Sequence, residues 1–256
     1  MRSSTHLMAQ YRQTGDISLL KQFYASAEYA QKRIARAARP KRLAKYSLLV
    51  KEMNLKAGDS VLDVGSGPPT LRGFVEGSGA SYTSLDINPH FSPDICADVS
   101  YLCSICDNSF TWVVLADVLE HLPHPEEVLQ QVHRIGSRVI AVVPNWYRLE
   151  CLPGLPRSPT DHHIVRHRPA AWLRMVEQSG GVVDLIAGFY YVPSFAFNSR
   201  IRTLRQIDKW LKDSMVVNKL ASILQRTIAR RPMLKYLGQE LILVARRATP
   251  EDRLPT

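Results

Sequence analysis

The sequence predicts an α/β protein built on one mostly parallel sheet with helices on both faces, and three observations carry that prediction. Short, continuously apolar runs recur along the chain, as in strands that are buried on both sides. They alternate with stretches of helical spacing, the pattern of βαβ units. A glycine-rich turn, Gly65-Ser66-Gly67, follows the first run, where such a sheet passes from strand to helix.

The elements follow in order. Over 17–53, Leu19, Leu20, Phe23, Tyr24 and later Leu43, Tyr46, Leu49 and Val50 recur at steps of three and four, and Pro40 divides the stretch into two helices. Ser60-Val61-Leu62-Asp63-Val64 is the first buried strand, with a helix expected from about Thr70. Apolar runs near 81–86 and 94–97, a stronger one at 110–116 and another at 138–143 supply the next four strands. Between the last two, Pro125-Glu126-Glu127 starts a helix, because proline is tolerated and carboxylates are favoured in a first turn. A helix over 170–178 ends at Gly180-Gly181 and leads into a strand over 182–187, and the run from Glu240 to Ala245 is the last strand.

The expected architecture is therefore a Rossmann-like, doubly wound, seven-stranded sheet, with N-terminal helices before it and a helical insertion before the last strand. A chain of 256 residues buries one core, so the reading is a single domain over 1–256. Residues 1–56 form an N-terminal helical cap, 57–190 and 238–248 the core, and 191–237 a basic helical insertion. In that insertion Ile201, Leu204, Leu211, Met215, Leu220, Ile223, Leu224 and Ile228 have the spacing of two or three amphipathic helices. Residues 249–256 are expected to fray.

Composition excludes wholesale disorder and fibrous repeats, with 45% hydrophobic and 22% charged residues. The N-terminus lacks an apolar signal core and no run approaches roughly eighteen apolar residues, which predicts a cytoplasmic protein. Four cysteines, three of them Cys96, Cys103 and Cys106, do not form a disulfide scaffold, so reduced thiols are expected. The formal charge is +10, yet 1–45 and 198–237 are each +8, which leaves the rest of the chain at −6. An acidic core thus carries two basic attachments. Such attachments suit an anionic acceptor, peripheral contact with an anionic membrane, or a solvated helical face.

Gly65 and Gly67 let backbone approach a ligand closely, and ligands of such sheets bind outside the carboxyl ends of the strands. About twenty residues on, Asp86 closes the next strand, where a carboxylate accepts both hydrogen bonds of a ribose diol. The pair points to a nucleoside ligand, a logic that nicotinamide cofactors share.

Val61-Leu62-Asp63-Val64-Gly65-Ser66-Gly67, then Leu85-Asp86-Ile87, Ala97-Asp98-Val99 and the stretch from Asn108 to Leu122 resemble, in order and spacing, the successive motifs of class I S-adenosylmethionine-dependent methyltransferases. The resemblance covers about 58–190 and the final strand. Val118-Leu119-Glu120-His121-Leu122, followed by Pro125 and its helix, is its most specific element and is not expected of a dehydrogenase. It implies S-adenosyl-L-methionine as cofactor, with Asp63, Gly65, Ser66 and Gly67 around the methionine part. It implies Asp86 on the ribose hydroxyls, Ile87 on the adenine face, Asp98 and Val99 near the adenine amino group, and Ala116 beside the sulfonium. Two positions depart from the family pattern, Pro69 where a further glycine is usual and Thr111 where an Asp is usual. A proline gives no N–H, so this turn is expected to be less permissive.

A sulfonium methyl is already electrophilic, so the protein must chiefly align the acceptor, with a base where the nucleophile carries a proton. His121, after the fourth strand, and His162 and His163, in the Pro-rich connection after the fifth, are the candidate catalytic residues. No metal is expected: Cys103-x-x-Cys106 has no second pair, and Cys96, Cys151 and the His162-His163-x-x-x-His167 cluster lack a zinc spacing. The late segment ending at Lys235-Tyr236-Leu237-Gly238 looks similar to bacterial methyltransferases of cell-surface glycan pathways. The expected reaction is methyl transfer to an oxygen of a small-molecule, lipid- or glycan-linked acceptor. The alternatives are a noncatalytic nucleoside-binding module with a basic membrane or partner surface, and an RNA-modifying enzyme. Nucleic acid ranks lower because Leu115-Ala116-Asp117-Val118 is not the Asn-Pro-Pro-Tyr type of sequence used on base amino groups.

Overall fold

The computed structural model describes residues 4–145, 163–189, 238–249 and 251–253, with isolated positions between 206 and 223. His162, Cys151, Lys235-Tyr236-Leu237 and most of the 191–237 insertion lie outside the described residues.

The apolar runs form seven strands: β1 (Ser60–Val64), β2 (Ser81–Asp86), β3 (Ile95–Cys96), β4 (Phe110–Ala116), β5 (Gly136–Pro144), β6 (Gly181–Phe189) and β7 (Glu240–Arg247). They make one sheet in the order β3-β2-β1-β4-β5-β7-β6. The first five are parallel, and β7 is antiparallel to both its neighbours. Strand order reverses on either side of β1, with β2 beside it one way and β4 the other. The carboxyl ends of these strands therefore open a crevice there.

Alternate residues of each central strand enter separate buried clusters. Trp112 and Val114 of β4, with Ile242 and Val244 of β7, meet Tyr46, Leu49 and Met53 of α4 (Pro40–Met53) and Val75 of α5 (Arg72–Glu76). Val113 and Leu115, with Leu241 and Leu243, meet Val128, Leu129 and Val132 of α6 (Pro125–Ile135) and Trp172 of α7 (Pro169–Gln178). Burying each such side chain stabilises the fold by about 1.5–3 kcal/mol before conformational entropy is counted. Apolarity on both sides of a strand explains why these runs are continuous and do not alternate.

The N-terminal segment differs from expectation. A helix α1 (Ser4–Thr14) precedes the predicted ones, and 17–53 holds three helices, α2 (Ile17–Tyr24), α3 (Ala27–Ile34) and α4. The additional break is a capping event: Ser26 leaves helical geometry and its hydroxyl accepts the Tyr29 N–H at 3.2 Å. Pro40 does divide the stretch, as the first residue of α4. Leu7, Met8, Leu20 and Phe23 form a small core of their own, joined by Tyr29 and by Ile164 from beyond β5. The helix expected from Thr70 begins at Arg72 and lasts five residues, because Pro68 and Pro69 occupy the approach to it. Fraying was expected past 249, but Glu251–Arg253 form a 3₁₀ turn in which Asp252 accepts from both Arg246 and the Thr249 N–H. Among the described residues no helix is long and apolar enough to cross a membrane.

Candidate active site

At the end of β1 the backbone turns through Gly65 and Gly67, both in the left-handed region at φ +66° and +58°. Glycine occupies that region without steric cost. The N–H groups of Gly65 and Ser66 donate to the Leu85 carbonyl at 2.7 and 3.2 Å, which locks the turn to the neighbouring strand. A Cβ on Gly65 would lie 2.7 Å from Val118 Cγ2, so the close approach of the loop after β4 also requires glycine. The turn's donors thus come from positions 65–67, and Pro69's missing N–H takes nothing from it.

Asp86 ends β2 directly across from this turn. Its Oδ2 accepts the Gly67 N–H at 2.7 Å and its Oδ1 the Asn88 N–H at 2.8 Å. Burial raises its pKa, and the two backbone bonds offset that only in part. Each oxygen keeps a lone pair for a further donor. The Asn88 amide donates to the Tyr24 and Ser26 carbonyls at 2.6 and 3.0 Å, so the break between α2 and α3 is pinned to the end of β2.

These features surround a cavity of about 540 Å³, within the size range of small-molecule sites. Gly65, Gly67, Asp86, Ile87, Asp98 and Val99 line it from the sheet side. Asp98 also caps the following turn through the Ser100 N–H at 2.7 Å and pairs with Lys21 of α2. Burial would raise its pKa, yet the bonds from Lys21 and Ser100 hold it below the ordinary value.

Three residues expected beside the ligand do not line the cavity. Asp63 lies beneath the turn, where it accepts the Tyr82 hydroxyl at 2.6 Å, and burial pushes its carboxyl up to about 7. Ser66 is buried and turns its hydroxyl to the Gly67 carbonyl at 3.2 Å. Ala116 packs against the core, and the two residues after it, Asp117 and Val118, reach the cavity instead. The displacement follows from Asp117's left-handed backbone, φ +60°, which turns the chain outward one residue past the strand.

The opposite wall comes from the helical cap, and nothing in the sequence pattern singled it out. Tyr24, Tyr29 and Arg33 face the cavity. The Arg33 Nε and the Tyr24 hydroxyl are sealed from solvent without a hydrogen-bond partner among the described residues. Polar atoms in that state suit a ligand's complementary groups. The cap is fastened by Lys45 of α4, itself buried. Its Nζ lies 2.7 and 2.8 Å from the Asp117 oxygens and 2.6 Å from Glu240 Oε2, and Lys41 meets Glu240 Oε1 at 2.6 Å. Burial alone would raise the Asp117 carboxyl, but the Lys45 ammonium holds it well below the usual range.

At the mouth, a 3₁₀ turn (Leu119–His121) presents His121 to the cavity and hides Glu120 behind it at 1% exposure. The Glu120 carbonyl accepts the N–H groups of both Ile164 and Val165, at 2.8 and 3.2 Å, and so delivers His163 to the same place. Glu120 Oε1 stands 3.8 Å from His121 Nε2 and 3.9 Å from His163 Nε2, with the two rings 5.0 Å apart. Burial and then the charge of Asp117 push the Glu120 carboxyl well above its usual range. Glu120 was overlooked as a functional group, although an acid between Leu119 and Leu122 at a strand end is itself a signal.

Residues 62–138 match a family profile described as a methyltransferase domain. No curated protein sequence matches the chain. Among solved structures, the chain resembles a SAM-dependent methyltransferase from Archaeoglobus fulgidus, at 19% identity and TM-score 0.54, over 80% of this chain and 94% of that one. It also resembles a Burkholderia thailandensis 1,6-didemethyltoxoflavin-N1-methyltransferase with bound 1,6-didemethyltoxoflavin and S-adenosylhomocysteine, at 14% identity and TM-score 0.55, over 97% and 92%. A third is Haemonchus contortus phosphoethanolamine N-methyltransferase 2 in complex with S-adenosyl-L-methionine, at 12% identity and TM-score 0.55, over 90% and 60%. At such identities the likeness is one of fold.

Proposed function

We propose that this chain is a class I S-adenosylmethionine-dependent methyltransferase, a reading supported by the methyltransferase-domain match over 62–138 and the shared fold, and that it methylates an oxygen of a small-molecule, lipid-linked or glycan-linked acceptor. The observation that carries the choice of oxygen is His121 in the cavity wall, backed by the buried Glu120 at 3.8 Å. A hydroxyl nucleophile must lose a proton as it attacks, and histidine exchanges protons near neutral pH.

S-adenosylmethionine, when bound, supplies an electrophilic methyl on a positively charged sulfur. The residues of the chain do the rest. Asp86 accepts the ribose hydroxyls with the lone pairs its backbone bonds leave unused. Gly65 and Gly67 admit the cofactor to backbone distance, while Ile87 and Val99 flank the adenine and Asp98 lies near its amino group. Asp63, Ser66 and Ala116 act from behind the wall by holding its shape. Arg33 takes the carboxylate of the methionine end through its unpartnered Nε–H. His121 accepts the acceptor's proton, and Glu120 steadies the imidazolium that results.

Calorimetry and methyl transfer test this together. Asp86→Asn is expected to weaken S-adenosylmethionine binding about 30- to 100-fold, the worth of one or two charge-assisted bonds. His121→Asn is expected to leave that binding intact and slow transfer by about 100-fold or more. With a labelled methyl donor and cell extract, label in hydroxylated metabolites, lipid or glycan supports the reading. Label confined to RNA or protein overturns it.

A second site of contact is favoured by one observation. Trp210, Val216 and Leu220 are 67%, 69% and 56% exposed within the basic segment 198–237. Apolar side chains among cations suit the interface of an anionic membrane. Sedimentation with phosphatidylserine vesicles, falling as salt rises, is the expected result; equal sedimentation with neutral vesicles counts against it.

A further inference from the structure

We infer that Glu120, His121 and His163 form a binding site for one divalent transition-metal ion, of the zinc type, at the mouth of the cavity. Among the described residues, one ligand atom from each of the three lies within 4.8 Å of the others. The Glu120 oxygen stands 3.8 and 3.9 Å from the two Nε2 atoms, a few tenths of an ångström wider than the about 3.4 Å separating ligands on a tetrahedral ion with bonds near 2.1 Å. Those separations are too long for hydrogen bonds, so the carboxylate does not owe its position to the two imidazoles.

A second observation concerns what Glu120 lacks. Its side chain is 1% exposed, and Oε2 is sealed from solvent with no hydrogen-bond partner among the described residues. A buried carboxyl oxygen left without a partner costs free energy, and native proteins answer it with a donor or a cation. The chain also invests structure in the convergence. Glu120 and His121 are adjacent on one rigid turn, and the two N–H groups following His163 both bind the Glu120 carbonyl. The set comes from one local turn and one residue more than forty positions away, a spacing that reading cysteines and histidines along the sequence does not reveal.

Two imidazoles and one carboxylate are ligands for Zn²⁺ in sites that keep a position open. His121 lines the cavity, so an ion held there would stand at its edge, and Tyr24 of the cap wall lines the same cavity. An ion there would hold the acceptor's oxygen and make its hydroxyl more acidic, so that the proton passes to bulk water; with the ion bound, His121 would serve as a ligand, and it would serve as the base only in the metal-free protein. That role rests on the methyl-transfer reading above, whereas binding of the ion does not.

The test uses the whole chain, stripped with a chelator and kept free of S-adenosylmethionine. It is titrated with Zn²⁺ by calorimetry and with Co²⁺ by visible absorption. One equivalent should bind, with cobalt bands of nitrogen and oxygen ligation. Glu120→Gln and His163→Ala should each weaken zinc binding by more than the roughly 10–100-fold that loss of a supporting hydrogen bond costs. Cys103→Ser with Cys106→Ser should leave it unchanged. Should Glu120→Gln fail to fold, His163→Ala decides, since its side chain is 30% exposed. Absence of stoichiometric binding, undiminished binding in His163→Ala, or thiolate charge-transfer bands would overturn the site. Failure of the methyltransferase reading would appear separately, as no S-adenosylmethionine binding alongside an unchanged zinc titration.

Discussion

On the sheet side of the cavity, Gly67 and Asp86 are joined by one hydrogen bond across 19 residues of chain, and both sit at the ends of paired strands. On the cap side the corresponding ties span 64, 72 and 77 residues: Asn88 to Tyr24, Lys45 to Asp117, and Lys21 to Asp98. The first wall is as rigid as the parallel ladder beneath it. The second is a set of short helices with a small core, held by a few polar tethers. A ligand entering between them meets one fixed surface and one whose position depends on side chains.

The sharpest way to break that contrast is to cut the buried tether. Lys45→Met leaves the Asp117 and Glu240 carboxylates buried without their shared cation and should cost about 3–5 kcal/mol in urea unfolding. A loss below about 1 kcal/mol would mean that the cap stands on its own core.

The fixed wall should show itself in pH dependence. Asp63 titrates near 7 when folded, above its unfolded value, so between about pH 4 and 7 the native protein holds a proton that the unfolded chain has released. Its contribution to stability therefore declines as pH rises through that window and is level above it. Asp63→Asn should remove a decline on the order of 4 kcal/mol. Asp86 and Glu120 shift in the same direction but are common to both proteins, so the difference between the two stability curves isolates Asp63. Parallel curves would show that the carboxyl is charged beneath the turn.

Gly65→Ala probes the same wall sterically. The left-handed backbone and the 2.7 Å approach to Val118 predict a loss of about 1–3 kcal/mol, with weaker cofactor binding as the loop after β4 moves away. The smallest effect belongs to Lys21→Ala, whose ammonium is half exposed: less than about 1 kcal/mol of stability, and a change in cofactor affinity of a few-fold. A larger effect would promote the exposed tether to the rank of Lys45.

The fold was legible where burial writes itself into composition. Continuous apolar runs located all seven strands, most strongly the central ones, which are covered on both faces. The position of β7 between β5 and β6 was not legible, since the direction of a strand leaves no mark on its own residues. The Ser26 cap carried a readable signal, a serine followed by Glu28 in the first turn, that the apolar periodicity overrode. At the cavity, the glycines and Asp86 could be read because backbone geometry demands those residue types. Tyr24 and Arg33 could not, because their significance lies in contacts made only after distant segments meet, and Glu120 offered only the partial signal of an acid set between Leu119 and Leu122. The shift from Ala116 to Asp117 and Val118 was likewise hidden, as it turns on one φ angle.

The reversed last strand has a further consequence. Phe189, at the close of β6, faces Glu240, the first residue of β7, on one rung, and Pro144 lies on Glu240's other side. The stretch numbered 190–237 therefore departs and returns at adjoining points on the border where the crevice opens. Lengthening or exchanging such an excursion adds only a logarithmic entropy cost and disturbs no rung of the ladder. Exchange of that stretch would thus leave the Gly65-Gly67 turn and Asp86, on the far side of β1, untouched.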